Sequence, residues 1–212
     1  MRSWVGASPV AVVLAAAAVP VAGASQLIDR NATCSRGARS TRSATLSAGP
    51  ISTLAPVEET SAEQRALFRR WPSGVCVVAA EHEGRRAAIT VSALVSLSLE
   101  PALVGISLAR VASLYEPLRD AGEWAVSILA GDQDKLAQRF ALSLPPLALW
   151  DGVPVRDDDP RLIAGAVGWI GARTVGSADA GDHTFFVGEV EWLAQGGAAS
   201  SLVYLHSGYS AL

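Results

Sequence analysis

The residues best suited to chemistry fall in three short stretches of this chain. The first runs from Ala88 to Pro101; it starts with a β-strand pattern and becomes rich in serine before a proline turn. Hydroxyls and free backbone N–H groups in such a stretch can bind the polar edge of a ring, while apolar residues back the ring itself. An ordinary strand with Ser and Thr on its solvated face explains the same composition, and composition alone favours that interpretation.

The second and third stretches each carry one residue able to bind a charged or polar group. In the second, Arg110 offers charge-assisted donors to an anion, and Ser113 is placed to cap the helix predicted after it. In the third, His183 follows Gly181-Asp182 directly before a strand pattern. The alternative for Arg110 is a solvated surface arginine. The alternative for His183 is a turn histidine whose ring is hydrogen-bonded to Asp182.

These stretches lie among many short strands and few helices. Alternating or continuous apolar runs bounded by turn residues predict seven strands, over 75–80, 86–91, 102–108, 124–129, 166–177, 184–193 and 202–204. Helical spacing predicts three helices: one capped by Ser61, one over 113–120, and one over 132–142 capped by Asp132. Strands without regular βαβ alternation favour a closed β-barrel with peripheral helices.

The composition excludes several classes of protein. A chain of 212 residues that is half hydrophobic suits one domain with a tail, and its net charge of −3 gives no reason to expect a nucleic-acid partner. Cys34 and Cys76 belong to no CxxC or Cys/His cluster, so no metal site is predicted, and Cys76 is expected to be a buried apolar residue. No Gly-rich dinucleotide fingerprint follows a strand.

The N-terminal residues 1–55 differ in composition from the rest. Residues 8–23 are apolar but too short and Ala-rich for a membrane span, so no stable membrane insertion is expected. Residues 25–50 then resemble a linker. An export signal, an organelle presequence and a start codon placed too far upstream are all compatible with this pattern, and the last is favoured. The folded domain is predicted to span residues 56–212.

The order of motifs after residue 60 resembles the flavin reductase-like domain family, whose fold is an FMN-binding split barrel. The matching pieces are Phe68–Val75, Thr90–Ser98, Trp124–Leu129 with the helix Asp132–Ala141, Gly181-Asp182-His183, and Leu202–Tyr204 with Gly208-Tyr209. Each piece is weak alone, but five in this order are specific. The resemblance implies a mainly β, Greek-key type split barrel with a few peripheral helices.

The resemblance also implies roles for individual residues. The family segment that wraps the flavin ring corresponds here to Thr90, Val91, Ser92 and Ala93, with Ser96 just beyond. The basic loop that grips the flavin phosphate corresponds to Arg110 and Ser113, although Ala112 and Leu114 replace family hydroxyl residues. His183, with Tyr209, falls on the nicotinamide side of the site.

The resemblance further implies an NAD(P)H-dependent flavin reductase. It would use NADH or NADPH to reduce FMN or FAD, and would supply the reduced flavin to a partner monooxygenase as one half of a two-component system. A homodimer and a cytoplasmic location are expected. The alternative is a split-barrel flavoprotein that holds FMN as a prosthetic group without NAD(P)H:flavin turnover.

Overall fold

The structure is a computed structural model that describes residues 60–142 and 144–212. The N-terminal extension predicted over 1–55, and the first residues of the predicted domain, lie outside the described residues. Ten strands are present: β1 Ser73–Gly74, β2 Cys76–His82, β3 Arg85–Val91, β4 Val95–Leu99, β5 Ala102–Ala109, β6 Glu123–Ile128, β7 Gly168–Ala180, β8 His183–Gln195, β9 Leu202–Leu205 and β10 Gly208–Ala211. Four helices accompany them: α1 Thr60–Phe68, α2 Tyr115–Ala121, α3 Asp134–Phe140 and α4 Pro146–Trp150.

Seven of the strands form one antiparallel sheet in the order β3-β2-β6-β7-β8-β5-β4. A flat sheet of this kind would hold its edge strands about 29 Å apart, because neighbouring strands are spaced by about 4.8 Å. The edge strands β3 and β4 are nevertheless joined by only Ser92–Leu94. Four Cα–Cα steps span at most about 14 Å, so the sheet must curl until its two edges approach each other.

The curled sheet is a barrel with a split between β3 and β4, where the two edges are not paired in the described residues. A small sheet, β1-β9-β10, packs beside it. This mainly β architecture confirms the predicted split barrel with peripheral helices. Among the described residues, no helix combines the length and the apolar character needed to cross a membrane.

Local sequence explains two of the two-residue turns of the barrel. His82 pairs with Arg85, which leaves a two-residue loop in which both Glu83 and Gly84 have positive φ. This is the requirement of a type I′ hairpin turn. The turn between β7 and β8 also has two residues, and Gly181 supplies the positive φ at its first position, as a type II′ turn requires.

The apolar side chains divide into two main clusters on either side of β2. Val78 and Ala80 face the barrel interior with Ile106, Leu108 and other residues of β5, β6 and β8. Val75, Val77 and Ala79 face outward and are covered by α3, α4 and the small sheet. Because β2 is buried on both faces, its run of apolar residues is continuous rather than alternating.

Three predicted helix starts are wrong. Ser61 lies inside α1, which already includes Thr60. The N-cap of α2 is Leu114, with no side-chain capping bond, so Ser113 does not cap it. The N-cap of α3 is Gln133 rather than Asp132.

Tertiary contacts explain the displaced start of α3. The Gln133 side chain accepts a bond from the Ala130 amide at 3.0 Å and donates one to the Ala164 carbonyl at 2.8 Å. These contacts bind the helix start to two neighbouring loops.

Candidate functional site

The segment Ser92–Leu94 lines the split of the barrel. None of its three backbone amides donates a bond to another described backbone group, so they are free for a ligand. Before it, Val91 is buried in the interior cluster. After it, Ser96 is exposed on β4 and pairs with Val104. Ser92 and Ala93 therefore border the opening itself, together with their free amides.

Thr90 precedes this segment and connects it to α3. Its hydroxyl donates a 2.7 Å hydrogen bond to the Ala137 carbonyl in the helix. The single hydroxyl proton is used in that bond, so Thr90 has only acceptor capacity left for a ligand. The contact fixes the end of β3 against the helix, which makes one wall of the split rigid.

Arg110 lies at the end of β5 and holds the turn between β7 and β8. Its backbone amide donates to the Asp182 carbonyl at 3.1 Å. Its guanidinium donates to the carbonyls of Gly181 at 2.5 Å and His183 at 3.3 Å. A guanidinium has five N–H donors, so three make no hydrogen bond among the described residues, although Nη1 also lies 3.9 Å from the Asp179 carboxylate in an ion pair. Ser113, three residues on, is exposed.

His183 is the first residue of β8 and is buried, with 3% of its surface exposed. Its Nδ1 lies 2.6 Å from the Asp182 carboxylate, and this hydrogen bond holds the pKa of the Asp182 carboxyl below its usual value. An ionised carboxylate only accepts, so Nδ1 carries the proton and Nε2 of the neutral ring is an acceptor. Nε2 is buried and has no hydrogen-bond partner among the described residues.

Ser107, in the middle of β5, is a second buried residue of this kind and was not predicted from the sequence. It is 5% exposed, and its Oγ has no partner among the described residues. The sequence offers no signal for it, because a lone serine within Leu103–Leu108 is indistinguishable from a residue that merely packs. Its significance comes from the pairing of β5 with β8.

Tyr209 lies on β10 in the small sheet, away from these residues in the topology. Its ring makes an edge contact with Tyr204 at 5.2 Å between centroids, and it packs against the outer apolar cluster. Partial burial raises the pKa of its phenol. No hydrogen bond or ring contact among the described residues joins it to His183. The structure thus brings Ser92, Ala93, Arg110 and His183 to one end of β5, but shows no such association for Tyr209.

The described residues contain no cluster of three or more groups that could hold a metal ion. Two carboxylates of the acidic loop 157–159 instead pair with arginines, Asp158 with Arg156 and Asp159 with Arg161. Cys76 is buried and makes no disulfide, which confirms its predicted packing role.

Comparison with known proteins agrees with this geometry. Residues 68–212 match the flavin reductase like domain. The chain is 34% identical over 148 residues to the reductase component of 4-hydroxyphenylacetate 3-monooxygenase from Thermus thermophilus, covering 70% of this chain and 94% of that one. It is 35% identical over 144 residues to an NADH-dependent flavin reductase from Rhodococcus, covering 64% and 78%.

Solved structures show the same likeness. The flavin reductase component of a bacterial two-component tryptophan halogenase superposes with a TM-score of 0.66 at 28% identity, covering 72% of this chain and 98% of that one. A Streptomyces globisporus NADH:FAD oxidoreductase, solved with NAD and FAD fragments, superposes with a TM-score of 0.65 at 28% identity, covering 74% and 95%. The chain therefore belongs to the flavin reductase-like domain family.

Proposed function

We propose that this protein is an NAD(P)H-dependent flavin reductase that supplies reduced FMN or FAD to a partner monooxygenase. The observation that carries the proposal is the position of β5. Beyond Gly105 this strand no longer pairs with β4, because the chain there forms the segment Ser92–Leu94 with its free amides. Its other side pairs with the strand that carries His183, whose buried Nε2 has no partner among the described residues. The arrangement thus offers donors to one polar ring and an acceptor to a second ring beside it.

The residues present fit a flavin at the split. The amides of Ser92–Leu94 supply donors for the polar edge of the ring, and the apolar residues beside them supply its backing. The three unused N–H groups of Arg110 suit a phosphate. A flavin held there would supply the acceptor for a hydride from the reduced nicotinamide, so no side chain of the site would need to transfer a proton.

The contribution of the protein is then mainly positioning. Holding two reactants in a productive geometry removes much of the entropic cost of a bimolecular step. Here Thr90 fixes one wall of the split to α3, and Arg110 fixes the turn that carries Asp182 and His183. Both contacts reduce the freedom of the groups that bind the two rings.

The relatives support turnover rather than a permanently held prosthetic group. The Rhodococcus relative is named as an NADH-dependent flavin reductase, and the Thermus thermophilus relative as a reductase component of a monooxygenase. A cytoplasmic location follows from the same proposal, because the reaction consumes the reduced dinucleotides of that compartment. Residues 56–212 form the catalytic domain in this proposal.

We also propose that the protein is a homodimer. Val95 and Leu97 of the edge strand β4 project from the outer face of the sheet and are 41% and 43% exposed. Leu99 of the same strand is 86% exposed. Neighbouring exposed apolar side chains on a strand of this kind mark a protein interface. Sedimentation should show a dimer, and Leu97→Glu should shift it to monomer, whereas Leu147→Glu, at another exposed leucine, should not.

The test of the function is a crossed absorbance assay of NADH and NADPH oxidation with FMN and FAD. Oxidation should rise with the concentration of free flavin and saturate. If none of the combinations is turned over, the proposed activity is wrong. Turnover that is independent of added flavin, by protein that is yellow as purified, would support the prosthetic-group alternative instead.

A further inference from the structure

Two buried side-chain atoms that have no hydrogen-bond partner among the described residues, Oγ of Ser107 and Nε2 of His183, belong to residues on the same face of the sheet. In the β5–β8 pair, Ala109 lies opposite His183 and Ser107 lies opposite Phe185. Residues opposite each other in an antiparallel pair project to the same side, as do residues two apart along a strand. Ser107 and His183 are therefore diagonal neighbours on the outer face, while Ile106 and Leu108 point into the barrel.

Ser107 also lies next to the split. The β4–β5 ladder ends with Val95 opposite Gly105. Continued by two residues, the same register would place Ala93 opposite Ser107, where the chain has left the ladder to form the segment Ser92–Leu94. Ser107 thus lies between that segment on one side and His183 on the other.

Most side chains around this diagonal are small. Gly105 and Ala109 flank Ser107 on β5, and Ala180 lies opposite His183 on β7. Phe185 is the large neighbour, and its ring extends over Gly105, where an added Cβ would clash with the Phe185 Cζ. Both polar atoms are buried, so side chains beside them must move before a ligand can reach them.

The two polar atoms are chemically complementary to a primary carboxamide. Nε2 of His183 is an acceptor, because Nδ1 donates to Asp182. The Ser107 hydroxyl can donate. Diagonal neighbours on one face have Cβ atoms somewhat under about 7–8 Å apart. Oγ and Nε2 project from these Cβ atoms on the same side of the sheet, so one amide group between them can form a hydrogen bond of about 2.9 Å with each.

We propose that Ser107 is a specificity-determining residue for the dinucleotide. Its hydroxyl donates to the carboxamide oxygen of the nicotinamide, while the carboxamide NH₂ donates to Nε2 of His183. The inference rests on the proposed function and extends it to a residue outside the segments on which the family resemblance is based. Each buried polar atom acquires a partner only when the carboxamide is bound, which distinguishes this role from a structural one.

The test compares Ser107→Ala with a matched control, Ser127→Ala. Ser127 is equally buried, at 1% exposure, but its Oγ accepts a 2.9 Å bond from the Ile163 amide. Binding of NAD⁺ is measured by calorimetry, kcat/KM with NADH by absorbance, and Tm by thermal melting. Ser107→Ala should weaken NAD⁺ binding and lower kcat/KM about three- to tenfold. Its Tm should be unchanged or higher, because the lost hydroxyl has no partner among the described residues.

The control should behave in the opposite way. Ser127→Ala leaves a buried amide without its acceptor, so Tm should fall by a few degrees, roughly 2–4 °C for each kcal/mol lost, while NAD⁺ affinity stays at the wild-type value.

A substrate analogue tests the carboxamide contacts separately. Reduced 3-acetylpyridine adenine dinucleotide keeps the carbonyl of the carboxamide but lacks its NH₂ group. The wild type should favour NADH over this analogue, Ser107→Ala should lose activity with both, and His183→Ala should no longer discriminate between them.

Two failures are distinguishable. If the wild type does not oxidise NADH in the presence of flavin, the proposed function itself is wrong. If the wild type is active but Ser107→Ala binds NAD⁺ normally, or has a lowered Tm, Ser107 has only a structural role and this inference is overturned.

Discussion

Replacing Arg110 with alanine tests whether this side chain binds the flavin phosphate in addition to holding the β7–β8 turn. In the structure, two of its five N–H groups donate to the carbonyls of Gly181 and His183. The turn is exposed, so water can satisfy the Gly181 carbonyl in the variant, and the loss of the turn contacts should cost about 1 kcal/mol or less. A lost charge-assisted bond to phosphate is larger, about 1.5–3 kcal/mol.

These magnitudes separate the two roles by ligand. Riboflavin has the same ring as FMN but no phosphate. If Arg110 binds the phosphate, Arg110→Ala should raise the Kd of FMN roughly 10- to 150-fold. The Kd of riboflavin should rise about fivefold or less, because only the turn contacts affect it. Both constants are measured by titrating flavin fluorescence, and the informative quantity is the ratio of the two changes.

An equal change for FMN and riboflavin would refute the phosphate role and leave Arg110 as a residue that only positions the turn. Arg173→Ala is the matched control. Arg173 is also an exposed arginine, and it pairs with Glu189 at 2.6 Å and Glu191 at 3.3 Å. Its removal should leave both flavin constants unchanged.

Three further outcomes are expected. His183→Ala should raise the KM for NADH and lower kcat/KM about tenfold, with little change in flavin Kd; equal loss of flavin and nucleotide binding would instead indicate a collapsed pocket. A chain that begins at Val57 should be soluble and retain reductase activity, because the described core clusters draw only on later residues; an unfolded product would place the domain boundary elsewhere. Burial raises the pKa of the Cys76 thiol to about 12, so a Cys34→Ser chain should react with a thiol reagent at pH 8 only after denaturation, and rapid reaction of the native chain would contradict that burial.

The sequence predicts the long strands well, because their apolar pattern is strong. Cys76–His82 and Arg85–Val91 lie within two residues of their predicted bounds. The short strand β4 is not among the predicted strands, because its alternation of serine with Val95, Leu97 and Leu99 also fits a hydroxyl-rich segment. That period of two was the available signal for a strand. The five-residue helix α4 is too short to give a recognisable helical period.

Only part of the candidate site can be predicted from the sequence, and the reason is physical. Motifs identify His183 and Arg110, but the bonds of Arg110 to the turn involve backbone carbonyls, which every residue possesses. The role of Ser107 can be inferred only from two structural observations. These are the register of β5 against β8 and the absence of a partner for its Oγ among the described residues. Pairing over such a separation depends on the whole barrel and is not encoded in any local pattern.

The edge strand β4 has a consequence for how this protein behaves at high concentration. Val95–Leu99 contains no charge and no proline, and in the described residues it is paired on one side only, by β5. A strand with unpaired backbone groups and apolar side chains is a template for pairing with another chain. Proteins usually protect such edges with lysine or proline, and this strand has neither. Self-association of the purified protein should therefore begin along β4, and a lysine at Ser98 should suppress it.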